Sequence, residues 1–158
     1  MNEETRENFM REALVEAEKA LDYDEVPVGA VVVKNNRIVA RAFDLRDSRK
    51  DPTAHAEILA LRQAAKNLGD WRLNDCELYV TLEPCPMCAG AAIQARIKTL
   101  IFGAPNLKAG AVITHCQSLS IPSFNHKVAV ISGVLEQQCA ELLSRYFQSK
   151  RRPDNRNT

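Results

Sequence analysis

The chain has 158 residues, about the length of one domain. Hydrophobic residues make up 46% and charged residues 26%, a balance that builds a core without disulfide staples, and six Gly and seven Pro exclude a collagen-like or low-complexity polymer. No apolar run approaches the roughly 20 residues of a membrane-spanning helix. The start, MNEETREN, is acidic and polar, unlike a secretory leader, so the expected location is the cytoplasm. The net charge of +1 hides an asymmetry. Residues 1–25 hold nine acids and three bases, whereas residues 26–158 hold eleven acids and eighteen bases. From Pro84 to Leu135 there is no acid, against Arg96, Lys98, Lys108 and Lys127. Such a basic half attracts a polyanion locally; its plain alternative is a solvated face ending in a basic helix terminus.

Residues 4–21 read as an amphipathic helix. Phe9, Ala13, Ala17 and Leu21 recur every four positions, with Met10 and Leu14 widening the stripe and Glu7, Glu12, Glu16 and Glu18 toward water. The valine-rich run Val28–Val33, the turn Asn35-Asn36 and the segment Arg37–Phe43 read as a β-hairpin. Residues 44–52 read as a charged loop, and 53–67 as an Ala/Leu-rich helix stopped by Gly69. Glu77–Leu82 reads as a strand, Pro86 to about Ala95 as a helix, and Thr99–Phe102 as a strand. A loop over Gly103–Pro122, a strand at Val128–Ile131 and a helix from Val134 to about Arg151 complete the chain. Strands alternating with helices predict an α/β sandwich with helices on both faces of one sheet.

Two strings carry chemistry. His55-Ala56-Glu57 opens one helix, and Pro84-Cys85-Pro86-Met87-Cys88 stands at a strand-to-helix turn. One imidazole and two thiolates suit zinc, and three protein ligands leave its fourth tetrahedral position open, as in catalytic sites. Cys85 and Cys88, three apart at a helix start, converge on one point, where the helix terminus favours thiolates. If His55 also sits in a first turn, two helix N-termini face one metal. Glu57 is two residues from His55 and off its helical face, so it reaches the metal only if the metal lies beyond the helix end; its expected role is acid/base. Taken singly, H-x-E marks an ordinary helix start, and C-x-x-C a structural half-site or a redox pair. Their order together, H-x-E then P-C-x-x-C, is the known signature of zinc nucleobase deaminases, so it is a match to an established motif. His115, His126 and Cys116 are the candidates for a fourth ligand; the polar loop context of the two histidines favours surface or packing roles. The odd count of five cysteines argues against a disulfide framework, and Cys76, Cys116 and Cys139 read as buried small hydrophobes.

These strings, with Glu25-Val-Pro-Val-Gly-Ala-Val31, Asp51-Pro-Thr-Ala-His-Ala-Glu-Ile58, Leu78 to Ala91, Phe102-Gly-Ala104, Lys108-Ala-Gly-Ala111, Phe124-Asn-His126 and Gly133-Val-Leu135, are similar to the bacterial tRNA-specific adenosine deaminases of the cytidine deaminase-like superfamily. The resemblance covers about residues 5–152. It implies a three-layer α/β/α sandwich on a mixed five-stranded sheet, one zinc-dependent deaminase domain over 1–152, and a polar tail at 153–158. It also implies a homodimer that converts the wobble adenosine of a tRNA anticodon loop to inosine. By position, His55, Cys85 and Cys88 would bind one zinc per chain and Glu57 would shuttle protons. Val28 would line the base pocket, and the backbone of Ala56 and Pro84 would border the metal's open position. Lys108, Tyr146, Phe147, Arg151 and Arg152 would meet the RNA loop. Aromatics beside basic residues suit stacking and phosphate contact, although Tyr146 and Phe147 also read as packing residues.

Two positions depart from the family pattern. Asp44 stands where Asn is usual at the purine edge, and Asn106 where Asp is usual near the sugar. An ionised Asp only accepts hydrogen bonds, so Asp44 is expected to turn toward a neighbouring donor such as Arg46 or Asn106. Two rivals remain on the sequence alone. A deaminase of small nucleobases or nucleosides would not need the Tyr146–Arg152 segment. A zinc-stabilised RNA-binding module without catalysis would need a fourth protein ligand and would leave Glu57 without a role.

Overall fold

The computed structural model describes residues 2–151; Arg152 and the tail 153–158 lie outside the described residues. The helices are α1 (Glu3–Leu21), α2 (Arg46–Arg49), α3 (Ala56–Leu68), α4 (Pro86–Gln94) and α5 (Glu136–Lys150). The strands are β1 (Gly29–Lys34), β2 (Arg37–Phe43), β3 (Cys76–Leu82), β4 (Thr99–Ala104) and β5 (Ala129–Ile131). They form one mixed sheet in the order β2-β1-β3-β4-β5. β1 is antiparallel to both β2 and β3, while β3, β4 and β5 run parallel.

Period-two alternation decides which residues meet which layer. Ala30, Val32, Leu78, Val80, Leu100 and Phe102 pack with Ala60, Leu61 and Ala64 of α3 and Ala89 and Ala92 of α4. Val31, Val33, Tyr79 and Ile101 face the other way, onto Met10 and Ala13 of α1 and Cys139 of α5. Helices therefore cover both faces, as expected. Two glycines let the second pair of helices press close. A Cβ on Gly29 would stand 2.1 Å from the Ala13 carbonyl, and one on Gly103 2.4 Å from Cys139 Sγ.

The local signals are realised in detail. Asn2 Oδ1 caps α1 by accepting from Thr5 N at 2.9 Å. Asn35 and Asn36 both adopt positive φ, 52° and 61°, the geometry of a tight hairpin turn. Gly69, at φ 72°, closes α3 in the left-handed cap conformation.

Six local expectations are corrected. Leu21 is 41% exposed, and Ala20 takes its place in the buried face with Ala13 and Ala17. Glu16 does not face water: it is 3% exposed, held by Lys19 at 2.6 Å and Arg41 at 3.4 Å. The loop 44–52 contains α2, whose first amides are capped from a distance by Glu25: Asp47 N and Ser48 N donate to its carboxylate at 3.2 and 2.7 Å. Helix α3 starts at Ala56 because Asp51 captures the preceding backbone, accepting from Thr53 N and Thr53 Oγ1 at 2.8 and 2.7 Å. Helix α5 starts at Glu136 because Gly133 and Leu135 take positive φ, 79° and 52°. Of the isolated cysteines, Cys76 and Cys139 are buried as expected, but Cys116 is exposed.

Candidate active site

The metal-ligating residue types stand at the ends of two helices. His55 is the N-cap of α3 and Cys85 the N-cap of α4; both have extended backbones, and neither side chain is spent on a capping hydrogen bond. Cys88 follows three residues into α4, behind Pro86 at the first helical position. The freed side chains point at one another. His55 Nδ1 lies 3.7 Å from Cys85 Sγ and 3.5 Å from Cys88 Sγ, and the three donor atoms fall within 4.8 Å of one another. A tetrahedral zinc with ordinary Zn–N and Zn–S bonds separates such donors by about 3.6 Å. The set therefore fits zinc in both chemistry and spacing. His115 and His126 lie outside this group and donate locally instead, with Nε2 2.6 Å from the Leu107 and Ile97 carbonyls respectively. Cys116 Sγ lies 3.3 Å from Ser118 Oγ.

Glu57 is the second residue of α3 and only 4% exposed. Because His55 caps the helix, its donor atom lies off the helix end, the condition under which Glu57 comes within reach of the same point. Burial pushes the Glu57 carboxyl up to about 7, and the Cys88 thiol hydrogen-bonds to it. The two cysteines share a hydrogen bond with opposite consequences. Accepting from Cys88 holds Cys85 down at about 4, with His55 adding to the effect, while donating it pushes Cys88 up. His55 is raised, chiefly by its hydrogen bond to Cys85.

A cleft of about 140 Å³ opens over this group. His55, Glu57 and Cys85 line it together with Val28, Asp44, Ala56 and Asn106. Four further lining residues, Val26, Leu82, Glu83 and Ala109, carried no expected role, and Arg46, expected as a donor to Asp44, lines it too. Asp44, 3% exposed, is engaged by Arg46, accepting from Arg46 N at 3.1 Å and Nε at 3.2 Å. Burial is the strongest influence on its carboxyl and raises it against the pull of Arg46. Asn106 uses its side-chain oxygen within its own loop, accepting from Lys108 N at 3.2 Å and Ala109 N at 3.0 Å.

Among the described residues, the remaining expected contacts do not line the cleft. Pro84 is buried, and its carbonyl accepts from Ala111 N at 2.9 Å. Lys108 is exposed beside Asn106. Tyr146 lines an adjoining groove with Val26 and Arg46, the two residues that this groove shares with the cleft. Phe147, 37% exposed, and Arg151 line another groove with Pro105 and Leu107, which flank Asn106. The two aromatic rings meet edge to face at 5.3 Å, so packing and exposure coexist there. Arg152 lies outside the described residues. A sequence signal for Glu83 existed: a carboxylate that breaks an apolar strand end directly before the metal turn. For Arg46 the sequence offers its place as a neighbouring donor to Asp44, and that pairing forms.

This fold, with a His/Cys/Cys group and a buried glutamate at one sheet edge, defines a deaminase of the cytidine deaminase-like class. The family model of MafB19-like deaminases matches residues 4–142. The chain is 48% identical over 146 residues to a tRNA-specific adenosine deaminase of Bacillus subtilis (strain 168), covering 92% of this chain and 91% of the relative. A tRNA-specific adenosine deaminase of Haemophilus influenzae is also 48% identical over 146 residues, with 92% and 84% covered. A solved structure from work on A-to-I editing by tRNA:A34 deaminases at the wobble position of transfer RNA superposes with a TM-score of 0.83 at 47% identity, covering 86% of this chain and 99% of that one. Guanine deaminase from Bacillus subtilis shares the fold at a TM-score of 0.62 and 32% identity, with 99% and 98% covered. The chain belongs to the tRNA-specific adenosine deaminase family.

Proposed function

We propose that the chain is a hydrolase that converts adenosine to inosine at the wobble position of a tRNA anticodon loop. The observation that carries this reading is the meeting of His55, Cys85, Cys88 and buried Glu57 at one cleft. The balance is adenosine plus water giving inosine plus ammonia. His55, Cys85 and Cys88 would hold zinc, which when bound would supply a Lewis acid that lowers the pKa of a water to about 7. Glu57 would take one proton of the attacking water and pass it to N1, then take the remaining hydroxyl proton and pass it to the amine, which leaves C6 as ammonia. Its burial beside Cys88 suits a group that must both accept and release a proton near neutrality.

The other roles follow position. Val28 packs against the base, and the backbone of Ala56 and Pro84 borders the reacting centre. Asp44 and Asn106 both line the cleft that would receive the nucleotide. Lys108, Tyr146, Phe147, Arg151 and Arg152 meet the loop's bases and phosphates, since aromatic faces stack any base and cations hold the backbone. A loop adenosine reaches the cleft without breaking a duplex, which lowers the cost of extruding it. The acting unit is a homodimer in the cytoplasm. No described helix is long and apolar enough to cross a membrane.

Incubation with total tRNA and, separately, with free adenosine and guanine tests this reading. Inosine is expected in the tRNA and little product from the free compounds. Product from the free compounds alone would make the chain a small-molecule deaminase. No product from either, with zinc bound, would leave an RNA-binding module.

A further inference from the structure

Glu83 follows the last residue of β3 and stands two residues before Cys85. Its side chain is 1% exposed although it is among the residues that line the cleft, and among the described residues it makes no ion pair. Five donors converge on its two oxygens. Oε1 accepts from Asn106 N at 3.1 Å and from the Thr114 hydroxyl. Oε2 accepts from Val112 N, Ile113 N and Thr114 N at 3.1, 2.8 and 2.9 Å. That uses the whole acceptor capacity of a carboxylate, about four lone-pair sites. The backbone adds two ties: Glu83 N donates to Ala104 O at 2.8 Å, and Asn106 Nδ2 reaches Glu83 O at 3.5 Å.

The donors come from both ends of one loop, so the chain from Asn106 to Thr114 wraps the carboxylate. Gly110 closes the wrap. A Cβ there would lie 2.4 Å from Glu83 Oε1 and 2.6 Å from the Asn106 carbonyl. Apolar packing secures only part of this loop. Ala111 and Val112 are buried, but Leu107 is 76% and Ile113 50% exposed. The segment 106–109 therefore depends on polar ties. It is also the part that forms the cleft wall, through Asn106 and Ala109, and carries Lys108.

We propose that Glu83 is a positioning residue for substrate recognition: it sets the 106–109 wall against the turn that carries Cys85, and so fixes where the nucleotide beyond the reacting base is held. This inference rests on the proposed function, because it concerns how that substrate is gripped. It separates two duties within one turn. Cys85 and Cys88 serve the metal, while Glu83 serves the recognition loop and is dispensable for holding zinc.

The test compares Glu83→Gln, Thr114→Val and Thr114→Ser with the wild type. Zinc per chain, kcat and KM are measured on an anticodon stem-loop RNA, and Kd on the same stem-loop carrying inosine, which is not turned over. Glutamine keeps the shape but sets an NH2 group against backbone N–H donors. It is expected to raise KM and Kd about tenfold or more, with kcat changed much less and one zinc per chain retained. Thr114 is exposed and outside the cleft. Thr114→Val should raise KM and Kd in the same direction, and Thr114→Ser, which keeps the hydroxyl, should match the wild type. Unaltered KM and Kd in Glu83→Gln, or a loss of zinc there, would overturn the proposal. If Glu83→Gln does not fold, the threonine pair decides: equal KM for Thr114→Val and Thr114→Ser overturns it. A wild type that neither binds nor deaminates the stem-loop defeats the proposed function and this inference with it. A working wild type beside a Glu83→Gln of normal KM defeats the inference alone.

Discussion

Replacing Glu57 with glutamine separates proton transfer from every other duty of the site. The side chain is 4% exposed, so a smaller residue would leave a cavity, whereas glutamine keeps its volume. The hydrogen bond with Cys88 also survives, because an amide oxygen accepts from a thiol and an amide NH2 donates to a thiolate. Removing a carboxyl that burial already disfavours should cost less than about 1 kcal/mol of stability, in the range of a neutral buried swap. Turnover behaves differently. A positioned acid/base group contributes about 10²–10⁴ in rate, which is roughly 3–5 kcal/mol of barrier at 1.36 kcal/mol per decade. Single-turnover deamination of an anticodon stem-loop should fall by at least about 10²-fold, with melting temperature and zinc content unchanged. A rate within about tenfold of the wild type, with zinc retained, would remove Glu57 from proton transfer. Loss of zinc would mean that Glu57 acts by holding the ligand set.

Three shorter predictions concern the surroundings. Truncation after Ser149 removes Lys150, Arg151, Arg152 and Arg156, and should weaken tRNA binding and flatten its salt dependence, since each lost phosphate contact lowers the slope; an unchanged salt titration would count against the RNA contact. Lys150 is already paired with Asp24, so Lys150→Ala alone should change that slope least. Asp44→Asn combined with Asn106→Asp should strengthen the preference for RNA over DNA hairpins if the native pair loosens it, because the 2′-hydroxyl is what distinguishes them; equal RNA-to-DNA ratios would leave the swap without effect on substrate choice. Light scattering should give a mass of two chains, and a fully active monomer would exclude the dimer as the acting unit.

The parts of the fold that were legible in the sequence are those set by near neighbours. Asn35-Asn36 announces a hairpin because few residue pairs tolerate two successive positive φ values. The H-x-E and P-C-x-x-C strings announce the metal group because their spacing already brings donors to helix starts. What escaped was set across the fold. Glu16 has the period of a water-facing residue, yet Arg41 arrives from β2 and buries it. Helix α2 is too short for a periodic signal and exists through the Glu25 carboxylate, more than twenty positions earlier in the chain. Leu21 repeats the spacing of Ala17 correctly, but the helix runs out beyond the sheet there, and Ala20 turns inward instead. Glu83 is the same case at the site itself: its role is held by amides some thirty residues later, which no local pattern contains.

The strand directions explain why so many unrelated segments contribute to one cleft. Because β1 runs against β3, its start lies beside the end of β3; Ala30 pairs with Val80, and Gly29 N reaches Thr81 Oγ1 at 3.2 Å. The end of β2 lies at that same edge, Phe43 opposite Gly29, and so does the end of β4, Ala104 opposite Leu82. Val28, Asp44, Glu83, Cys85 and Asn106 are thus the residues just beyond four neighbouring strand ends. Ligand sites of open α/β sheets gather at the carboxyl ends of strands for this reason. Here β1 is the exception that supplies its amino end, and it does so only because it is antiparallel. The N-termini of α3 and α4 then face the same edge, and their partial positive charge favours thiolates and an incoming anion alike. A one-residue slip of β1 would move Val28 off the cleft and exchange the Val31/Val33 and Ala30/Val32 faces. Gly29 guards against that slip, since only a residue without Cβ fits against α1 at that register.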